Sequence, residues 1–141
     1  MPIQPVDLIL VAKGIASSGL GEAGDRSATS RAYYGVLHHC LEVMPSKFVP
    51  AKAALKREGS HRAVIEAMES WGRARGAGST DAQQAARKLT QLKRRRVCSH
   101  LHMGFACKWK AATCIADAER IMTLASAARA ARDKATSPPE T

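Results

Sequence analysis

The sequence predicts an all-α fold, a four- to five-helix up-and-down bundle. Three observations carry this expectation. Strand signals are nearly absent while alanine is abundant. Apolar residues recur at three- and four-residue spacing. Short stretches rich in glycine or proline divide those periodic segments. A chain of 141 residues suffices for one domain with a sizeable core and is short for two. One domain is therefore expected over residues 1–134, with residues 135–141 (ATSPPET) as a disordered tail.

Each element follows from local pattern. A first helix is expected from Val6 to Ser17, with Leu8, Val11, Ala12 and Ile15 on one face and Gly19 and Gly21 ending it. Asp25 or Ser27 then caps a helix reaching Met44, with the stripe Tyr33, Leu37, Cys40, Leu41 and Met44. Pro45 and Pro50 bracket a loop, and a short helix follows from Ala51 to Arg57. After Gly59, Ser60 caps a helix to Trp71. Gly72 to Thr80 (GRARGAGST) reads as a mobile basic connector carrying Arg73 and Arg75. It lacks GxxxxGK[ST] and so is not read as a phosphate-binding loop. Thr80 or Asp81 caps the next helix, which turns Ala82, Ala85, Ala86, Leu89 and Leu92 inward and runs through Arg96 or beyond. Gly104 interrupts, and a final helix is expected from Phe105 to Arg132 with Ala111, Cys114, Ile115, Ala118, Ile121, Met122 and Ala125 buried.

Composition excludes several classes. Hydrophobic residues make up 45%, too many for a disordered chain. The apolar runs are too short for a spanning segment, and the N-terminal residues show no secretory signal, so a cytoplasmic protein is expected. Cys40, Cys98, Cys107 and Cys114 form no CxxC pair and match no common zinc spacing. They read as free thiols packed as small apolar residues, and no metal or cofactor is expected.

Charge is the strongest compositional signal. Lys plus Arg is 22 and Asp plus Glu is 12, a net +10 with neutral histidines. Between Asp81 and Asp117 there is no acidic residue, yet that interval holds Arg87, Lys88, Lys93, Arg94, Arg95, Arg96, Lys108 and Lys110. Like charges at this density repel one another, and an anionic partner relieves the repulsion. Nucleic-acid phosphate is the expected partner, with Arg73 and Arg75 adding to the rim. Trp71, Trp109, Tyr33, Tyr34, Phe48 and Phe105 are the only aromatics, and they read as core residues rather than stacking platforms.

The segment Leu92 to Gly104 (LKRRRVCSHLHMG) places two histidines after three arginines. Histidine exchanges protons near neutral pH, and arginine clamps phosphate with paired hydrogen bonds. Together they suit phosphodiester cleavage with the RNA 2′-hydroxyl as internal nucleophile. At 100° per residue, Arg96 and His100 continue the apolar face of their helix, whereas Arg95 and His102 fall on roughly the opposite face. A charged arginine on an apolar stripe needs a partner, so Arg96 and His100 are expected at a cleft or interface. The alternative is a helix that ends near Val97 and leaves these side chains in solvent.

The segment Ser27 to Leu41 (SATSRAYYGVLHHCL) resembles the second-helix signature of HEPN domains at Ser30, Arg31, Ala32, Tyr33, Tyr34, Val36, Leu37 and His38. The family also carries an arginine followed, after four to six residues, by a histidine. Arg95–x4–His100, Arg96–x5–His102 and Arg94–x5–His100 all fit. Gly59, Ser60 and His61 before an amphipathic helix are also similar, and the resemblance spans about residues 6–130. It implies a HEPN-type bundle that dimerises, with arginine and histidine from both protomers meeting at the seam to cleave RNA without metal. Many bacterial members are toxins paired with a nucleotidyltransferase-like antitoxin, and others serve antiviral or CRISPR-type defence. The family pattern often has a polar Asn, Asp or His after the motif arginine, whereas Arg96 follows Arg95 here.

On this reading Arg95 or Arg96 binds the scissile phosphate and His100 is the general acid or base, with His102 second in line. The alternative is a non-catalytic HEPN module that binds RNA or nucleotide, or docks a partner protein. Tyr33, Tyr34, His38 and Trp109 read as packing residues, and Arg31 either pairs with an acid such as Glu42 or lines the cleft.

Overall fold

The computed structural model describes residues 3–56, 59–101 and 110–136, the side chains of 97–101 excepted. These residues form six helices and no strand: α1 (Pro5–Ala16), α2 (Gly21–Val43), α3 (Lys52–Leu55), α4 (Ser60–Arg73), α5 (Ser79–Leu101) and α6 (Ala111–Thr136). The all-α expectation holds; the short helix expected from Ala51 to Arg57 is the four-residue α3, and counting it gives six. α2 packs against α1, α4, α5 and α6, and α5 packs against α4, α2 and α6. No helix among the described residues is long and apolar enough to cross a membrane.

Alanine does more here than favour helix. Ala28 and Ala32 of α2, Ala82, Ala85 and Ala86 of α5, and Ala118, Ala125 and Ala128 of α6 are all buried. Small side chains at the contacts let helix axes approach closely. The larger core residues, Tyr33, Val36, Val64, Met68, Trp71, Leu89, Leu92 and Ile121, fill the remaining space. Cys40 and Cys114 are buried free thiols within this core, as expected, and burial pushes the Cys40 thiol up to about 12. Cys107 lies outside the described residues, as does the side chain of Cys98.

Several boundaries differ from the sequence reading, each for a physical reason. α2 starts at Gly21 rather than near Asp25, because Gly19 (φ 76°) and Gly21 (φ 63°) adopt left-handed backbone and reverse the chain at once. Gly35 does not break α2. A Cβ there would lie 3.0 Å from the Pro5 carbonyl oxygen, so glycine permits the close approach of α1. That approach turns Pro5, Ile9 and Ala12 inward and leaves Val11 47% exposed, contrary to its expected burial. α4 continues to Arg73, and the connector expected to be mobile shrinks to Ala74–Gly78. Gly78 packs directly against the Ala128 carbonyl of α6, in left-handed backbone (φ 86°) that disfavours any side chain.

α5 does not stop near Val97 but runs to Leu101. Lys110 precedes α6 without joining it, and Phe105–Trp109 of the expected final helix lie outside the described residues. α6 extends to Thr136, two residues into the expected tail. The Arg129–Asp133 pair (2.9 Å) and the Thr136 hydroxyl bonded to the Arg132 carbonyl (3.1 Å) support this last turn. Arg129 also donates to the Val43 and Met44 carbonyls, at 3.0 and 3.3 Å, and so satisfies the C-terminal end of α2.

Candidate functional site

The three consecutive arginines of α5 have three different fates. Arg94 is exposed. Arg95 is half-buried and forms an ion pair with Asp117 of α6, the two side chains being 13% and 28% exposed. This corrects the expectation that Arg95 points away from the core. It sits on the flank of the helix that α6 covers. Arg96 turns toward α2, where its Nη2 donates to the Tyr34 hydroxyl at 2.9 Å. Its guanidinium carbon lies 5.3 Å from the Tyr34 ring centre and 5.7 Å from that of Tyr33. Cation–π attraction at such distances contributes about 1 kcal/mol when water is partly excluded. Arg96 thus has the partner that a charged arginine continuing an apolar stripe needs.

The Arg96 neighbourhood contains one more imidazole. His61, in the first turn of α4, stands 5.4 Å from both tyrosine rings, which are themselves 5.9 Å apart and nearly edge to face. Burial first, then the positive charges of Arg96, Lys93 and His38, hold its pKa below the ordinary histidine value. The imidazole is therefore mostly neutral at pH 7 and can accept or donate a hydrogen bond. The Tyr33 hydroxyl beside this cluster is buried and has no hydrogen-bond partner among the described residues, as is the Arg96 Nε. A buried polar group left so costs about 1–3 kcal/mol.

The other cationic residues divide between two faces. Arg87, Lys88 and Arg94, together with Thr90 and Gln91, line a shallow groove of about 300 Å³ on the outer side of α5. Arg87 and Thr90 also line an adjoining groove of about 410 Å³ with Arg73, Glu69, Gln83 and Ala86, between α4 and α5. Arg73 lies 3.8 Å from Glu69 across one helical turn and stays largely exposed. Arg75 and Lys110 are exposed. Lys93 departs from this group: it is half-buried and acts on His61. Arg87 and Arg94 are seven residues apart on α5, which is ~10 Å along the axis.

No protein-family model, curated protein or solved structure matches this chain.

The expected catalytic histidines are only partly placed. His100 lies on α5 one helical turn beyond Arg96, its side chain outside the description, and His102 and Lys108 lie outside the described residues. His38 is exposed on a groove lined by Ile3, Gln4, Pro5, Leu8 and Glu42, contrary to its reading as a packing residue. Arg31 is exposed, and no described ion pair joins it to Glu42. Among the described residues no group of three or more His, Cys, Asp or Glu side chains could hold a metal ion.

Sequence reasoning missed two roles. Asp117 is the partner of Arg95, and its one visible signal was that it ends the acid-free interval. His61 packs against the paired tyrosines, and its only signal was its place after Gly59 and Ser60.

Proposed function

We propose that this chain is a HEPN-type endoribonuclease that acts as a homodimer on RNA. One observation carries the reading. The hydrogen bond from Arg96 to Tyr34 joins the two separate stretches of sequence on which the resemblance rests, the tyrosine segment of α2 and the arginine–histidine segment of α5. Phenol rings over the guanidinium hold it in place while leaving its charge available. Between the two candidate arginines, Arg96 is favoured, because Arg95 is already committed to Asp117.

In the proposed reaction the RNA 2′-hydroxyl attacks the adjacent phosphorus. A histidine takes the hydroxyl proton and an acid returns one to the departing 5′-oxygen, leaving a 2′,3′-cyclic phosphate. Arg96 stabilises the charge that builds on the phosphoryl oxygens. His100, one turn along α5, is the first candidate for the proton transfer, and His102 the second. Arg73, Arg87, Lys88, Arg94 and Lys110 hold the backbone by charge. A toxin or defence role, with an antitoxin or effector subunit as further partner, follows from the resemblance alone.

The test is RNA incubation in excess EDTA with wild type and the Arg95→Ala, Arg96→Ala and His100→Ala variants. Cleavage abolished by Arg96→Ala and His100→Ala, with the helical fold retained by circular dichroism, supports the reading. Undiminished cleavage by Arg96→Ala counts against it. A second reading, an RNA-binding module without chemistry, is favoured by the exposed groove of Arg87, Lys88 and Arg94. Salt-sensitive RNA binding without turnover in the same experiment selects it.

A further inference from the structure

Among the described residues, the charges that act on His61 are of one sign. Arg96 and Lys93 from α5 and His38 from α2 all act on it as positive charges. The other α2 groups facing it are the neutral Tyr33 and Tyr34. α3, also packed against α4, contributes the exposed Lys52 within its span, with Lys56 immediately after. On α4 itself, Arg62 and Glu66 pair with each other at 2.9 Å on the exposed side. No described carboxylate pairs with Arg96 or acts on His61, in contrast to Arg95 with its Asp117; Glu42 lines the groove on which His38 lies.

Two further features give the cluster spare donors. Arg96 spends one donor on Tyr34, and its Nε has no acceptor among the described residues. The first turn of the 14-residue α4, where His61 sits, follows Gly59, which offers no side-chain cap to the helix N-terminus. Lys93 and Arg96 lie one turn apart on α5, and both act on His61.

We infer that His61, Lys93 and Arg96 form an oxyanion subsite for a phosphate group of RNA, and that His61 takes up a proton from solvent as the phosphate binds. The identity of the ligand as RNA rests on the proposed function; the subsite itself rests on the convergence of cationic donors. In the free protein burial, and after it the neighbouring cations, disfavour imidazolium. A bound phosphate reverses the local field, and the protonated ring then donates a hydrogen bond to it. By linkage, phosphate binding and proton uptake strengthen each other.

The test follows each histidine of the full chain by NMR across pH 5–8, alone and with inorganic phosphate, an RNA dinucleotide or sodium chloride at matched ionic strength. His39 is the internal control. It is also half-buried with a lowered pKa, but it contacts Ser126 and Met122 of α6, away from the cluster. With the dinucleotide, the His61 midpoint is expected to rise by about one pH unit, a tenfold preference for the protonated form, while His39 stays put.

His61→Gln should remove the pH dependence of dinucleotide binding, and Lys93→Ala or Arg96→Lys should weaken binding about tenfold. An unmoved His61, or equal movement of His61 and His39, overturns the subsite. A response to inorganic phosphate without one to the dinucleotide overturns RNA as the ligand. A shifted His61 in a protein that never cleaves RNA sustains the subsite and sinks the nuclease reading. Cleavage through Arg96 with an unmoved His61 does the reverse.

Discussion

The two sides of α5 treat the same residue type in opposite ways. On the outer side, Arg87, Lys88 and Arg94 border open grooves with polar neighbours such as Gln91 and Thr90. On the inner side, Arg95 is locked to Asp117 and Arg96 is held by Tyr34 beneath two aromatic rings. A cation in solvent contributes little to folding and much to long-range attraction. A half-buried cation must be matched by nearby groups, and once matched its position is fixed. The difference teaches that a dense run of positive charge is two devices here: a diffuse attractor outside and a positioned pair at the edge of the core.

Removing a partner on the inner side should have the largest effect on folding. Asp117→Ala leaves the Arg95 charge without its carboxylate and is expected to lower unfolding free energy by about 3 kcal/mol. Urea denaturation measures this. The double variant Arg95→Met with Asp117→Leu should recover most of the loss, since an apolar pair of similar volume avoids desolvation altogether. If both variants unfold alike, the pair is a surface contact and the contrast between the two sides fails.

Tyr34→Phe comes next. It deletes the acceptor for Arg96 and keeps the ring, so a loss of about 1–2 kcal/mol is expected. Under the proposed function, RNA turnover should fall further than stability does, because Arg96 loses its orientation. A variant that cleaves as fast as wild type would separate Tyr34 from the site.

The effect of pH is smaller. His61 and His39 both have folded pKa values below the ordinary 6.5, so the unfolded chain binds more protons than the folded one in the window beneath that value. The stability contributed by these two histidines is therefore full above about pH 7 and declines as pH falls through 6.5 toward the lowered folded values. His61→Gln should flatten part of this decline in a series of melts. An unchanged slope would assign the whole effect to other groups.

Least affected in stability should be the triple variant Arg87→Gln, Lys88→Gln and Arg94→Gln, within about 0.5 kcal/mol of wild type. Its signature lies in binding. The slope of log affinity for RNA against log salt should shrink by about 3, one for each lost phosphate contact. An unchanged slope would place the RNA path elsewhere.

Much of the architecture was legible because helical periodicity is local. The stripe Ala82, Ala85, Ala86, Leu89 and Leu92 is buried as read, and so are Tyr33, Leu37, Cys40 and Met44. Val11 departs from its expected burial because the close approach permitted by Gly35 turns the face of Pro5, Ile9 and Ala12 inward instead. α2 starts before Asp25 because the left-handed glycines that end α1 reverse the chain within a few residues.

The candidate site was legible in its residue types and not in their pairing. By itself the sequence determined a helical chain with a concentrated positive charge and an arginine at the margin of an apolar stripe. Those properties depend on neighbours three or four positions away, which covalent geometry fixes. Only the tertiary structure decided that Arg95 meets Asp117, 22 residues on, and that Arg96 meets Tyr34, 62 residues back. Adjacent residues on a helix diverge by about 100°, so which helix covers each flank assigns their partners, and that is a property of packing.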